Sequence, residues 1–395
     1  MTSTQVTANF ETMKIEFEYK ISDILLIPGR ALKAKKIIVA SFFILIALAV
    51  YNIFTYLAVL IDGGSLSAFY SQYGLVPFGV IWLAGTAAKI VYYCGILSGI
   101  WVLMAGMAGV SIFDFEMMRG NPFFTSLAAI RFALSRFGQI LVSHLAIAIF
   151  LGLILLIGVL FGLLTRIPYL GDWMYALFLV FPNFIIAIFS VLIIFVLVLS
   201  VLIMPATVAA DRHGEAFNSI LEIFTVITRQ PFRWLGITVY SLVAAKISGF
   251  IFAYFSYRAL QFLQFITQLG GGKKIEDLFA SGAAHLPLHS PAVRQLTTAI
   301  PGIDFGFTAK FFRGSAEPGL AGYLMALSLF GVFVIIVAYF FSIVATGQSV
   351  CYAFVRKAHD GHLFTNEKPL QFEPEWMNPP VKGPVEGRPV DPTKM

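Results

Sequence analysis

Six long apolar runs dominate the pattern of hydrophobic and polar positions along this chain. They lie at Ile37–Leu60, Val80–Val110, Ile140–Leu163, Tyr175–Met204, Leu235–Phe262 and Leu320–Ala345. Each can supply the roughly 20 residues that a helix needs to cross a bilayer core. None alternates with the period of two expected of a lipid-facing strand, and only helices or closed barrels satisfy every backbone polar group in hydrocarbon. The pattern therefore predicts an all-α polytopic membrane protein. Its six transmembrane helices are expected as three hairpins, accompanied by cytoplasmic amphipathic interfacial helices.

Those shorter helices are read from periodicity between the runs. Phe123, Leu127, Ile130, Leu134 and Phe137 make one apolar stripe. Phe217, Ile220, Phe224 and Ile227 make another, with Asn218, Glu222, Thr225 and Arg229 opposite. A third precedes the first span, through Ile21, Leu25, Pro28 and Leu32. Such helices either lie in the headgroup layer or pack beneath the spans, and the sequence leaves both open.

The segments also resemble one another. Phe124-Thr125-Ser126-Leu127 and Phe217-Asn218-Ser219-Ile220 are each followed, ten residues after the Ser, by Arg136 and Arg229, an offset of 93 residues. Val355–Phe364 echoes Val208–Phe217, with Gly361 against Gly214, at an offset of 147. Three repeats with an insertion in the third would account for both offsets.

Composition agrees with the membrane assignment. Hydrophobic residues make up 58%, charged residues 12%, and mean hydropathy is +0.85, whereas soluble domains carry about 25% charge. The net charge of +6 does not signal nucleic acid, because the 27 Lys and Arg are spread over several connections. Their distribution sets the expected topology. Lys14, Lys20, Arg30, Lys33, Lys35 and Lys36 precede the first span, and the next connection, from Asp62 to Leu75, has none. Arg119, Arg131 and Arg136 follow the second span, and Arg212, Arg229 and Arg233 follow the fourth. The positive-inside rule then puts both termini in the cytoplasm. Residues 1–36 read as a cytoplasmic segment, 37–353 as the membrane domain, 267–318 as an extracytoplasmic insertion of short helices and turns without a core, and 354–395 as a Pro-rich cytoplasmic tail. The first apolar run is too long for a cleavable signal and is expected to be retained. Cys94 and Cys351 fall towards opposite leaflets, which argues against a disulfide.

The stretch from Met204-Pro205 through Asp211-Arg212-His213-Gly214 to Arg229-Gln230-Pro231, with the opening Ile21-Ser22-Asp23-Ile24-Leu25, resembles a broad group of six-span bacterial membrane proteins. That group includes the membrane region attached to some glycerophosphodiester phosphodiesterases. The resemblance covers the layout of most of the chain, but only about 30 residues in detail. The phosphodiesterase barrel is absent and no catalytic residue carries over. The resemblance implies a bacterial inner-membrane setting and contact with lipid.

Candidate site residues are few. Lys246 lies inside the fifth span, where a charge needs a partner, water or a snorkelling path. Lys89, in a matching Ala-Ala-Lys-Ile tetrapeptide, lies nearer the end of the second. Arg136 and Arg229 close the amphipathic segments. These four are the possible ligand or lipid contacts. Asp114 and Glu116, at the end of the second span, read as solvated or capping groups, leaving no carboxylate buried among the spans. His285 and His289 have a metal-like spacing, but Pro287 between them opposes a helix. No catalytic motif, cofactor fingerprint or metal site is expected. The expectation is a non-enzymatic scaffold or accessory subunit, with membrane lipids and a protein bound through 267–318 or the tail as partners. The alternative is a transporter or lipid-handling protein with a site at Lys246, which Pro182 near the start of the fourth span would suit.

Overall fold

The structure, a computed structural model, describes residues 17–73, 77, 82–286 and 319–370. Among these residues all regular structure is helical. The protein is an all-α polytopic membrane protein with six helices long and apolar enough to cross a bilayer. The helices are α1 (Ile21–Leu25), α2 (Ile27–Ala31), α3 (Ala34–Ile61), α4 (Leu66–Tyr73), α5 (Thr86–Met118), α6 (Ser126–Ser135), α7 (Phe137–Leu164), α8 (Leu170–Ala210), α9 (Ala216–Arg229), α10 (Pro231–Gly271), α11 (Lys273–Ala284) and α12 (Leu320–Asp360). The spans are α3, α5, α7, α8, α10 and α12.

The three even-numbered spans, α5, α8 and α12, touch one another and form the centre. Near the end where α3 begins they are buried on every side, over Met104–Glu116, Ile203–Ala210 and Ser342–Ala353. We call this the basal end. Its sequences are rich in Gly, Ala, Ser and Thr, which lets helix backbones approach closely where no water-driven force assembles them. A Cβ on Gly106 would stand 2.6 Å from the Cβ of Phe43 on α3, and one on Gly347 would collide with Ser241 on α10. The odd-numbered spans pack outside: α3 on α5 and α12, α7 on α8 and α5, and α10 on α12. Gly95 and Gly99 both face α3, so this small-residue pair serves contact within the chain. At the opposite, apical end the Asp62 carboxylate accepts the N–H groups of Gly85 (2.7 Å) and Ala84 (3.0 Å) at the start of α5. These bonds hold its carboxyl below the usual range.

Three short helices ring the basal end. α2 packs on α12 and α10, α6 on α5 and α3, and α9 on α8, α7 and α10. Their inward faces are Ile27 and Ala31; Ala129, Phe132 and Ala133; and Ser219, Ile223, Val226 and Ile227. The stripes predicted for α6 and for the segment before α3 point mostly the other way, with Ile21, Leu25, Leu32, Phe123, Leu127 and Leu134 exposed. The stripe predicted for α9 instead turns largely inward: Ile227 is buried, Ile220 and Phe224 pack against the core, and only Phe217 is exposed. Each ring element runs within a few residues into the next odd-numbered span.

Two expectations need correction. The spans continue beyond their apolar runs, α10 to Gly271 and α12 to Asp360, because the basal core and α11 supply partners there. The insertion also has a small core. Phe279, Ala280 and Ala283 of α11 pack with Leu260, Leu329 and Phe333, while residues 287–318, including His289, lie outside the described residues. The start of α8 carries a π-helical turn, Tyr175–Leu179. Pro182 lacks the N–H that would bond back to Phe178, which removes one α-type bond from that turn. The apical halves of α7 and α8 touch little besides each other. Between Ile147 and Ser190, Gly171 alone is buried.

Candidate functional site

Where the even-numbered spans converge, small residues leave room for long charged ones. Lys36 shares a helical face with Val39, Ala40, Phe43 and Ala47. It turns inward and is completely buried. Its Nζ donates to Asp114 Oδ1 of α5 (2.6 Å) and to Thr346 Oγ1 of α12 (2.8 Å), joining three spans. The second carboxylate oxygen of Asp114 is buried without a hydrogen-bond partner. Two residues on, Glu116 accepts Arg119 Nη1 at 3.1 Å, both side chains being fully buried. Arg119 Nη2 donates to the Ala210 carbonyl at the end of α8 (3.0 Å). Asp114 and Glu116 are thus buried partners of cations, and the expectation that they are solvated or capping is overturned. Burial removes hydration, so each carboxylate needs the cation beside it.

A segment following α12 closes this end. α12 stops at Gly361, whose φ of +71° suits a residue without Cβ. The chain then folds beneath the bundle, with one 3-10 turn at Phe364–Asn366. Phe364 is buried against the rings of Phe115 and Tyr352, and its N–H donates to Tyr19 Oη (2.9 Å). The Glu367 carboxylate accepts Arg119 Nε (2.8 Å), Arg212 Nη2 (2.9 Å) and His362 Nε2 (2.7 Å). The Leu370 N–H donates to both oxygens of Glu116. Residues 361–370 are therefore held like a stopper over the span ends, while 371–395 lie outside the described residues.

Burial alone would raise the Glu367 carboxyl. Arg119, with hydrogen bonds from His362 and Arg212, outweighs it and holds the group below the usual carboxylate range. A carboxyl lowered in the folded state contributes stability above its unfolded value, about 4.3, and loses it as pH falls through the folded one. Hydrogen exchange of residues 361–370 should therefore stay slow from neutral pH down to about 5 and accelerate only below about 4. Glu367→Gln should remove that acid transition.

Beside the stopper lies a polar pocket of about 250 Å³, bordered by Arg212, His213, Ser219, Glu222, Arg356 and Glu367 among others. Its acids are already engaged. Glu222 pairs with Arg356, Glu367 with Arg119 and Arg212, and Asp211 Oδ2 accepts the N–H groups of Gly214 and Glu215 and the Gln139 amide. The arrangement can grip a carboxylate, and the chain supplies that carboxylate itself. Among the described residues no group of three His, Cys, Asp or Glu side chains could hold a metal ion.

The four residues singled out by sequence are not brought together. Lys246 is exposed on the outer surface of α10, not in a cavity between spans, and Lys89 is exposed at the start of α5 beside Asp62. Arg136 donates to the Arg212 carbonyl (2.8 Å), and exposed Arg229 lies 2.7 Å from His359. Both cysteines are free. Sequence reasoning passed over Lys36, Asp114, Glu116, Arg119 and Glu367 as a group. For Lys36 a signal existed, its place on the apolar face of α3. No protein-family profile, curated protein or solved structure matches this chain.

Proposed function

We propose that this is a non-catalytic scaffold or accessory subunit of a membrane assembly. The observation that carries this reading is the uncovered arm formed by α7 and α8. Leu153, Leu156 and Leu160 on one helix and Phe181, Phe184 and Phe195 on the other are all exposed. The basal half, by contrast, is filled by interlocked helices and ion pairs. A solid base carrying an apolar arm suits the docking of another membrane helix.

The setting proposed is a bacterial cytoplasmic membrane, with both termini and the basal end inside. The Lys and Arg distribution supports that orientation, and the resemblance to six-span bacterial proteins supports the setting. The outward stripes of α1, α2 and α6 suit helices lying in the headgroup layer. Three repeated units are supported by the glycines that follow each even-numbered span, Gly120, Gly214 and Gly361, all at positive φ. The alternative, a transporter or lipid-handling protein, draws support from the π turn before Pro182.

A photoreactive residue at Phe184 tests the reading in cells. The expected result is crosslinking to another polypeptide, well above that from the same probe at Leu324, which is also exposed, on α12. Crosslinks to lipid alone from both positions would count against it. Thiol labelling of a cysteine at His285 from outside the cell, with none at Lys33, is expected from the orientation.

A further inference from the structure

A second feature of the basal end has the character of a ligand site. Between the segment before α1, the start of α10 and the end of α12 runs an open groove of about 560 Å³. Its floor and walls are largely apolar: Ile24, Ile237, Phe354 and the ring of Tyr19. Two exposed cations, Arg233 and Lys357, border it, and no carboxylate does so among the described residues. Arg233 spends one donor on Gln230 Oε1 (3.0 Å), and the Lys357 ammonium rests 4.8 Å from the centre of the Tyr19 ring. Gly236 keeps the groove hollow, for a Cβ placed there would meet nothing within 4 Å. Phe232, 87% exposed, also borders it.

We propose that this groove binds one anionic glycerophospholipid, its phosphate between Arg233 and Lys357 and an acyl chain along Ile24, Ile237 and Phe354. Charge complementarity selects the headgroup. A basic pocket between span ends, with hydrocarbon on one side and water on the other, is where such headgroups are held. Arg233, part of the positive-inside pattern in the sequence, thus acquires a specific partner. The proposal rests on the membrane location of the chain and not on the scaffold reading, so failure of either leaves the other standing.

The test uses the full chain in nanodiscs and counts phospholipid retained per protein by native mass spectrometry. Phosphatidylglycerol should be retained in preference to phosphatidylcholine. Removing one cation should weaken retention about five-fold, and Arg233→Ala with Lys357→Ala roughly 30-fold, at about 1 kcal/mol per basic residue. Gly236→Leu, which fills the groove without touching a cation, should also abolish retention, while Arg233→Lys should keep most of it. Unchanged melting temperatures separate these losses from unfolding. Equal retention of the two lipids, retention unaffected by Gly236→Leu, or equally tight binding of soluble glycerol phosphate would overturn the proposal.

Discussion

Lys36→Met should destabilise the detergent-solubilised protein by about 3–5 kcal/mol, because it strands the Asp114 carboxylate in a site with no water to receive it. The size follows from asymmetry. Charge pairs in a low-dielectric interior are worth little net, since desolvation offsets attraction, but half a pair is expensive. One Asp114 oxygen has no hydrogen-bond partner even in the intact protein, and the other takes its bond from Lys36, so the loss of Lys36 leaves neither oxygen satisfied. The companion result is the sharper check. Lys36→Met combined with Asp114→Leu should recover most of the loss, since two apolar groups of similar volume fill the same space. Denaturant midpoints for the two single variants and the double variant complete the cycle. A double variant as unstable as the sum of the singles would mean that the pair does not interact as described.

Arg119→Gln should be comparably damaging, again about 3–5 kcal/mol, and its signature should differ. This guanidinium serves Glu116, Glu367 and the Ala210 carbonyl at once. Its loss leaves Glu116 on α5 with no cation beside it and takes from Glu367 one of its two arginines, Arg212 and His362 remaining. Proteolysis after Lys368 should therefore speed up in this variant, because residues 361–370 lose the fully buried one of the three contacts that seat Glu367. In Lys36→Met the same cleavage should change far less, since that pair lies among the spans. Adding Glu116→Gln to Arg119→Gln should restore part of the global stability but not the protection of the segment. Equal cleavage rates in the two single variants would refute this division of labour.

The apolar runs were legible because solvent dictates them: about 20 residues without charge leave few alternatives. The ring helices were legible from apolar residues at helical spacing, but the face they turn outward was not, since Ile220, Phe224 and Ile227 of α9 face the bundle. The charged interior was not. Asp114 and Glu116 sit within five residues of the end of α5, and a carboxylate so close to a span end normally reaches water. Water is excluded by parts of the chain distant in sequence. Leu370 meets Glu116 across 254 positions and Thr346 meets Lys36 across 310. No local pattern announces such contacts. Lys36 was hidden by its company, one of four cations within seven residues, Arg30 to Lys36, although only it falls on the buried face of α3. Lys246 misled in the opposite direction, since a lone charge in an apolar run suggests a cavity while the helix turns it outward.

The position of the stopper segment also bears on biosynthesis. Residues 361–370 leave the ribosome only after every span has been made, yet Arg119 waits for Glu367 from the moment the second span is threaded. Until then the nascent protein carries an unsealed cationic seat at its base. A chain interrupted anywhere before that point keeps the seat open.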